Sequence, residues 1–148
     1  MNPIRSILVT TDFSETSYAA FDIAREVARR FDARIALLHV LDAQLPPLVF
    51  ETSGIGVGQF EKTRTDQVES RIERVAAQLG TGVETIVVSG TPHIEIVRIA
   101  DDKAIDLVVI ATHGRGFLTH AILGSTAERV VRRACCPVLT VRDRTLDA

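Results

Sequence analysis

The chain has 148 residues, of which 46% are hydrophobic and 24% charged, values typical of one soluble globular domain. Seventeen basic and nineteen acidic residues give a formal charge of −2, which argues against a nucleic-acid-binding protein, since that class usually carries a basic surplus. The adjacent Cys135 and Cys136 exclude a disulfide-rich scaffold. The chain shows neither a signal peptide nor the ~20-residue apolar stretch of a membrane span. We therefore expect a cytoplasmic protein with no nucleic-acid or membrane partner.

Short apolar segments typical of buried strands alternate along the chain with longer segments whose apolar residues recur at helical spacing. An irregular stretch with two prolines and three glycines, residues 42–60, is interpreted as a functional loop or a mobile flap. The polar tail, residues 143–148, is expected to fray. In chain order, the predicted elements are a strand over 4–10, a helix over 14–31, a strand over 34–41, a helix over 61–79, a strand over 83–89, a helix over 91–103, a strand over 106–111, a helix over 125–134 and a strand over 137–142.

Three local signals predict where helices begin. Asp12 followed by Glu15 predicts the start of the first helix. Thr91 and the proline after it are typical of a cap and a first helical residue. Ser125 and Glu128 have the spacing of a capping box, which predicts the start of the last helix.

Nearly all-apolar strands alternating with helices predict the α/β class, with a parallel sheet covered by helices on both faces. Ligands of open sheets bind beyond the carboxyl ends of the strands, where the strand order reverses. Polar residues follow two predicted strands, as Thr10-Thr11-Asp12 and Thr112-His113-Gly114. If both belong to one site, strands one and four are neighbours. That arrangement gives a single open five-stranded sheet of order 3-2-1-4-5, within one domain over residues 1–148.

The strongest local motif is Gly114, followed after nine residues by Gly124-Ser125-Thr126. Gly114 follows a strand and lets backbone N–H groups approach a ligand closely. The start of the last helix offers unpaired N–H groups and the positive end of the helix dipole, which favour a phosphate. Two alternatives stay open. Ser125 and the glycines could serve only as cap and turn residues, and Asp12 could serve only as a helix cap.

The run ATHGRGFLTHAILGSTAERVVRRACCPVLTV and the opening ILVTTDFSETSYAA resemble the universal stress protein family. The nucleotide-binding branch of that family carries Gly, two residues, Gly, nine residues, and Gly-Ser or Gly-Thr. Gly114, Gly124 and Ser125 match this pattern, and Ala111 stands where the first Gly is expected. The methyl group of Ala111 would narrow the approach of a phosphate or ribose. The resemblance covers essentially the whole chain.

The resemblance implies a Rossmann-like fold of the adenine nucleotide alpha hydrolase type, usually dimeric. It also implies bound ATP or AMP, with Mg²⁺ or Mn²⁺ held mainly by the phosphates. Asp12 would accept hydrogen bonds from the ribose, and backbone groups of Val40 would meet the adenine edge. The implied nucleotide-binding residues are Thr10, Thr11, Asp12, Val40, Gly114, Arg115, Gly124, Ser125 and Thr126, with Ala111 in the place of the first glycine of the motif. His113 borders the proposed site and is a further candidate for contact with a phosphate.

Other motifs favour structural interpretations. The glycines of the 54–58 segment follow no strand and lack dinucleotide-loop spacing, which favours a flexible loop. Asp12, His113 and His120 lack the close ligand spacing of a protein-held metal site, so we expect no metal ion bound by protein side chains alone. His39 lies in a predicted buried strand, which favours a core role. No catalytic group is apparent.

We therefore expect a stress-response regulator or sensor that binds an adenine nucleotide at the carboxyl ends of strands one and four. The alternatives are a dimeric interaction module of the same fold without nucleotide binding, and a slow ATPase. The apolar edge strand over 137–142 would be exposed in a monomer, so we expect a homodimer paired through it.

Overall fold

A computed structural model describes residues 2–42, 57–112 and 123–143, and for residues 57–61 it describes the backbone only. Within these ranges no helix is both long enough and apolar enough to cross a membrane. The elements are β1 (Ser6–Thr10), α1 (Glu15–Phe31), β2 (Arg34–Asp42), α2 (Val57–Ala76), β3 (Glu84–Gly90), α3 (Pro92–Asp102), β4 (Leu107–Ala111), α4 (Ser125–Arg133) and β5 (Val138–Val141).

The five strands form one parallel sheet of order β3-β2-β1-β4-β5, which confirms the predicted fold class and order. The central strand β1 pairs with β2 on one side and β4 on the other, with Val9 beside Leu37 and Val109. Strands β2 and β3 therefore lie on one side of β1, and strands β4 and β5 lie on the other side. The strand order reverses between β1 and β4.

Alternate residues of the strands point into two separate hydrophobic cores, one on each face of the sheet. The first core packs α1 and α2 against the sheet and includes Ile7, Val9, Leu37, Val109, Phe21, Ala24, Ile72 and Val75. The second packs α3 and α4 against the other face and includes Leu8, Leu38, Val108, Ile110, Ile96, Ile99, Ala127 and Val130. Because both faces are covered, the central strands are apolar at nearly every position.

Two of the predicted helix caps are wrong, although both helices begin within one residue of the predicted position. The N-cap of α1 is Ser14, whose hydroxyl accepts a hydrogen bond from the Ser17 N–H at 3.2 Å, so Asp12 is not the cap. The N-cap of α4 is Gly124, which makes Ser125 the first helical residue rather than a cap. The predicted capping box is therefore absent, and the Glu128 carboxylate instead pairs with Arg132 at 2.9 Å.

Several element bounds also differ from the prediction. Helix α2 begins at Val57, so the last residues of the predicted loop over 42–60 are helical, and residues 43–56 lie outside the described ranges. Helix α3 begins at the predicted proline, although the Thr91 side chain makes no capping hydrogen bond. The sequence patterns thus place every element correctly but fix its ends only to within a few residues.

The start of β1 is held to the start of β4 by one carboxylate. Asp106 Oδ2 accepts hydrogen bonds from the Arg5 N–H at 2.9 Å, the Ser6 N–H at 2.9 Å and the Ser6 hydroxyl at 2.8 Å. The bonds donated by the Arg5 N–H and the Ser6 hydroxyl hold the pKa of the Asp106 carboxyl below its ordinary value. The ionised carboxylate therefore contributes to the pairing of the two central strands.

We predict that Asp106 makes the stability of the protein depend on acidic pH. Its pKa is lower in the folded than in the unfolded state, so its stabilisation is present above the unfolded-state pKa. It is lost as pH falls through the folded-state pKa. Asp106→Asn should lower the melting temperature at neutral pH and reduce its fall between neutral and strongly acidic pH. Thermal unfolding measured across that range checks this.

The matched control is Asp101→Asn, which removes the same charge from an exposed helical position. We expect this control to follow the wild-type pH profile. Equal effects of the two substitutions would contradict the role given to Asp106.

Candidate functional site

The carboxyl ends of β1 and β4 lie side by side at the point where the strand order reverses. Val9 pairs with Val109, and continuing that register brings Thr10 beside Ile110 and Thr11 beside Ala111. Ligand sites of open parallel sheets form at such a position. The described structure therefore brings the two predicted polar strand ends to one edge of the sheet.

The start of helix α4 is tied to the end of β4. The Gly124 N–H donates to the Thr112 carbonyl oxygen at 2.5 Å, and the Thr112 N–H donates to the Val141 carbonyl oxygen at 2.9 Å. The first intrahelical bond runs from the Glu128 N–H to the Gly124 carbonyl oxygen at 2.9 Å. The N–H groups of the first helical turn have no partner within the helix itself, and such groups commonly bind anions.

Strand β2 runs further than β1 at this edge. Among the described residues, the β1–β2 pairing ends where the Thr11 N–H donates to the Leu38 carbonyl oxygen at 3.0 Å. Beyond that point β2 continues to Asp42, and the half-buried Val40 pairs with Val88 of β3. The backbone N–H and carbonyl groups of Val40 on the side of β1 thus lie beyond the end of that strand.

Asp12 lies in a tight turn between β1 and α1. One of its carboxylate oxygens, Oδ1, accepts hydrogen bonds from the Ser14 N–H at 2.9 Å and from the Ser14 hydroxyl. These bonds fix the direction of the carboxylate, while an ionised carboxylate has acceptor positions on both of its oxygens. Asp12 therefore helps to start helix α1 and also presents an oriented acceptor.

Thr11 is the predicted site residue whose side chain is most fully engaged in holding the turn together. The residue is 5% exposed, and its Oγ1 lies 2.8 Å from the Ser17 hydroxyl and accepts from the Phe13 N–H at 3.0 Å. The neighbouring Thr10 is also buried, at 8% exposed. Both threonines are thus buried at the end of β1, and the Thr11 side chain holds the turn that carries Asp12.

Sequence reasoning missed Phe13 and misjudged His39. Phe13 adopts a left-handed backbone conformation, with φ +65°, and is 7% exposed. His39 is half-buried rather than in the core, and its Nδ1 lies 2.8 Å from the Thr11 carbonyl oxygen. Phe13 stands between the polar residues Asp12 and Ser14 in a strand-to-helix turn, and this pattern could have indicated its role.

Three of the predicted site residues, His113, Gly114 and Arg115, lie outside the described residues. Of the others, Ala111 ends β4 and is buried at 9% exposed. Ser125 is exposed and Thr126 half-buried, both in the first turn of α4. The described part of the site therefore consists of the Asp12 turn, the end of β4, the open edge of β2 and the start of α4.

The described residues include no group of three or more His, Cys, Asp or Glu side chains placed to hold a metal ion. Burial raises the pKa of the Cys136 thiol, so at neutral pH this cysteine is present as the unreactive thiol. The described residues at this edge of the sheet offer hydrogen-bonding groups to a ligand.

Comparison with known proteins identifies the family. The sequence profile of the universal stress protein family matches residues 3–142. Universal stress protein MJ0531 of Methanocaldococcus jannaschii is 33% identical over 142 residues, which cover 95% of this chain and 84% of that protein. The structure of hypothetical protein MJ0577 aligns with a TM-score of 0.82 and 31% identity, covering 97% of this chain and 99% of that one.

A more distant structure shares the fold. It is a universal stress protein in complex with cAMP, with 24% identity and a TM-score of 0.63, and the alignment covers 95% of this chain and 98% of that one. The profile match spans nearly the whole chain, and the sheet order is the one predicted from the sequence. The chain belongs to the universal stress protein family.

Proposed function

We propose that the protein binds an adenine nucleotide, ATP or AMP, across the carboxyl ends of β1 and β4 and acts as a stress-response regulator or sensor. The observation that supports this most directly is the hydrogen bond from the Gly124 N–H to the Thr112 carbonyl oxygen. It holds the amino end of a helix beside the strand end that neighbours Asp12. A carboxylate and a group of backbone N–H donors then lie at one edge of the sheet.

The chemistry of these groups fits the three parts of an adenine nucleotide. The backbone edge of Val40, beyond the end of β1, offers hydrogen bonds to an adenine ring. The Asp12 carboxylate accepts from ribose hydroxyls, and its orientation is already set by Ser14. The first turn of α4 at Ser125 and Thr126 supplies N–H groups and hydroxyls to phosphates. By their proposed match to the family motif, Gly114 and Arg115 complete the phosphate site, and His113 is proposed to border it.

A divalent cation, Mg²⁺ or Mn²⁺, would accompany ATP and would be held mainly by the phosphates. Such ions commonly keep several waters and take only one or two protein carboxylates. The proposal therefore needs no dedicated cluster of protein ligands.

Ala111 is the one feature that favours the second candidate, an interaction module that does not bind nucleotide. Its methyl group stands where the nucleotide-binding motif has glycine, but the residue is 9% exposed at the end of β4. Because Ala111 is buried, its methyl group lies mainly inside the fold and takes little space from a ligand in the crevice. Acid release of ligand from the purified protein, followed by a search for adenine absorbance, distinguishes the two candidates.

We predict that Asp12→Ala weakens the binding of Mg-ATP by about 10- to 100-fold, because a hydrogen bond to a charged group contributes ~1.5–3 kcal/mol. Asp12→Asn should weaken binding in the same direction while keeping an acceptor for the Ser14 N–H. Gly124→Val should also weaken binding, by placing side-chain atoms beside the helix start. Isothermal titration calorimetry with Mg-ATP measures all three.

Asp101→Asn is the control for loss of charge and should bind like the wild type. An absence of heat and of any thermal shift with millimolar Mg-ATP and the wild type would refute nucleotide binding. Binding by the wild type that neither Asp12 nor Gly124 substitutions change would refute the assignment of these residues.

We also propose that β5 pairs with its copy in a homodimer. All four of its residues, Val138–Val141, are half-buried, and in the described sheet β5 is an edge strand paired with β4 alone. The Val108 N–H donates to the Pro137 carbonyl oxygen and the Thr112 N–H to the Val141 carbonyl oxygen. In a parallel ladder with this register, the Thr140 N–H points away from β4, toward the open edge.

Thr140→Pro therefore tests the dimer without removing a β4–β5 hydrogen bond. Proline lacks the N–H that the partner strand would accept and is tolerated on edge strands. We predict that this variant is monomeric at micromolar concentration while remaining folded, as measured by light scattering and circular dichroism. A wild type that is monomeric, or a variant that stays dimeric, would contradict pairing through β5.

A further inference from the structure

The turn that carries Asp12 contains a bulky residue in an unfavourable backbone conformation. Phe13 has φ +65°, in the left-handed region that residues other than glycine, asparagine and aspartate seldom adopt. Its side chain is nevertheless buried, at 7% exposed. Such conformations persist where the surrounding contacts hold them in place, and they concentrate at functional sites.

Two side chains from different elements contact the Phe13 ring. The imidazole of His39, on β2, has its ring centroid 4.3 Å from that of Phe13, at an interplanar angle of 32°. The guanidinium carbon of Arg71, on α2, lies 4.4 Å from the Phe13 centroid, within the range of a cation–π interaction. We call these three residues the Phe13 cluster.

The Phe13 cluster includes one neighbour of Asp12, Phe13, and is hydrogen-bonded to the other neighbour, Thr11. His39 Nδ1 lies 2.8 Å from the Thr11 carbonyl oxygen, which can only accept, so this nitrogen is the donor. The Phe13 N–H donates to Thr11 Oγ1 at 3.0 Å. Thr11 and Phe13 are thus fixed on either side of Asp12, so the backbone that carries Asp12 and Ser14 is held in place, and Ser14 in turn orients the Asp12 carboxylate.

We propose that Phe13, His39 and Arg71 are positioning residues that set Asp12 for the nucleotide, and that Arg71 links helix α2 to the site. This inference rests on the proposed function. If one contact of the cluster is lost, fewer molecules hold the left-handed turn. The apparent dissociation constant rises in inverse proportion to the fraction that remains competent. The residues act through Asp12 and do not themselves touch the ligand.

The substitution Arg71→Met tests the proposal, because it keeps the length of the side chain and removes the cation. We expect it to raise the Kd for Mg-ATP about two- to five-fold, the effect of losing one exposed cation–π contact. The conservative Arg71→Lys should restore most of the affinity. Arg74→Met, on an exposed position of the same helix, removes the same charge and should leave binding unchanged.

A second measurement, on the ligand-free protein, separates positioning from a direct effect on the ligand. The Ser14 amide donates to Asp12 Oδ1 at 2.9 Å, so its NMR chemical shift reports the geometry of the turn. We expect Arg71→Met to move this resonance in the absence of nucleotide, and Arg74→Met to leave it in place. The melting temperatures of the two variants should stay close to each other.

Phe13→Leu completes a double-mutant cycle with Arg71→Met. If Arg71 acts through the ring, the double variant should bind as weakly as Phe13→Leu alone, so the two effects are not additive. Additive losses, equal losses in the two arginine-to-methionine variants, or an unmoved Ser14 resonance in Arg71→Met would each overturn the inference. A wild type that binds no Mg-ATP overturns the proposed function instead, and the Ser14 resonance then still decides whether the cluster holds the turn.

Discussion

The parallel pairing of β1 with β4 forms the edge of the sheet at which the proposed nucleotide site lies. It joins strands separated by about 100 residues of sequence, through the register of Val9 with Val109 and through the bonds that Asp106 accepts from Arg5 and Ser6. The remaining strands lie on either side of this pair, with β2 and β3 beyond β1 and with β5 beyond β4. Helix α1 follows β1 and covers one face of the sheet, and helix α4 follows β4 and covers the other face. The space beyond the ends of β1 and β4 therefore lies between these two helices.

Much of this architecture could be predicted from the sequence because it depends on periodicities spread over many residues. Apolar strands and amphipathic helices each contain several residues that agree, so the elements and the two-faced core were predicted correctly. The strand order followed from assigning the two polar strand ends to one site. The helix caps depend on single hydrogen bonds, and there the prediction failed. Ser14 rather than Asp12 caps α1, and Gly124 rather than Ser125 caps α4. A sequence shows which residues are able to cap a helix, but not which of two neighbours does so.

Part of what lies at this edge of the sheet was visible in the sequence, through single residues rather than through periodicity. Polar residues directly after apolar strands are visible in the sequence, as are glycines before a helix. The Phe13 cluster was not predictable, because it joins residues from a turn, a strand and a helix that are far apart along the chain. The contact of Arg71 with Phe13 depends on how α2 lies on the sheet, which a local pattern does not specify.

Asp12 alone cannot distinguish a nucleotide-binding member of this fold from a member without that activity. Its carboxylate accepts from Ser14 at the start of α1, so a chain that no longer bound a ligand would still gain stability from this residue. The start of α4 is different, because the first turn of a helix does not use its own N–H groups for internal bonds. The edge of β2 at Val40 likewise extends beyond the strand beside it. The backbone groups of these two features are used neither by the described β1–β2 pairing nor by the internal bonds of α4. Their position beside an oriented carboxylate is therefore the stronger argument for a ligand.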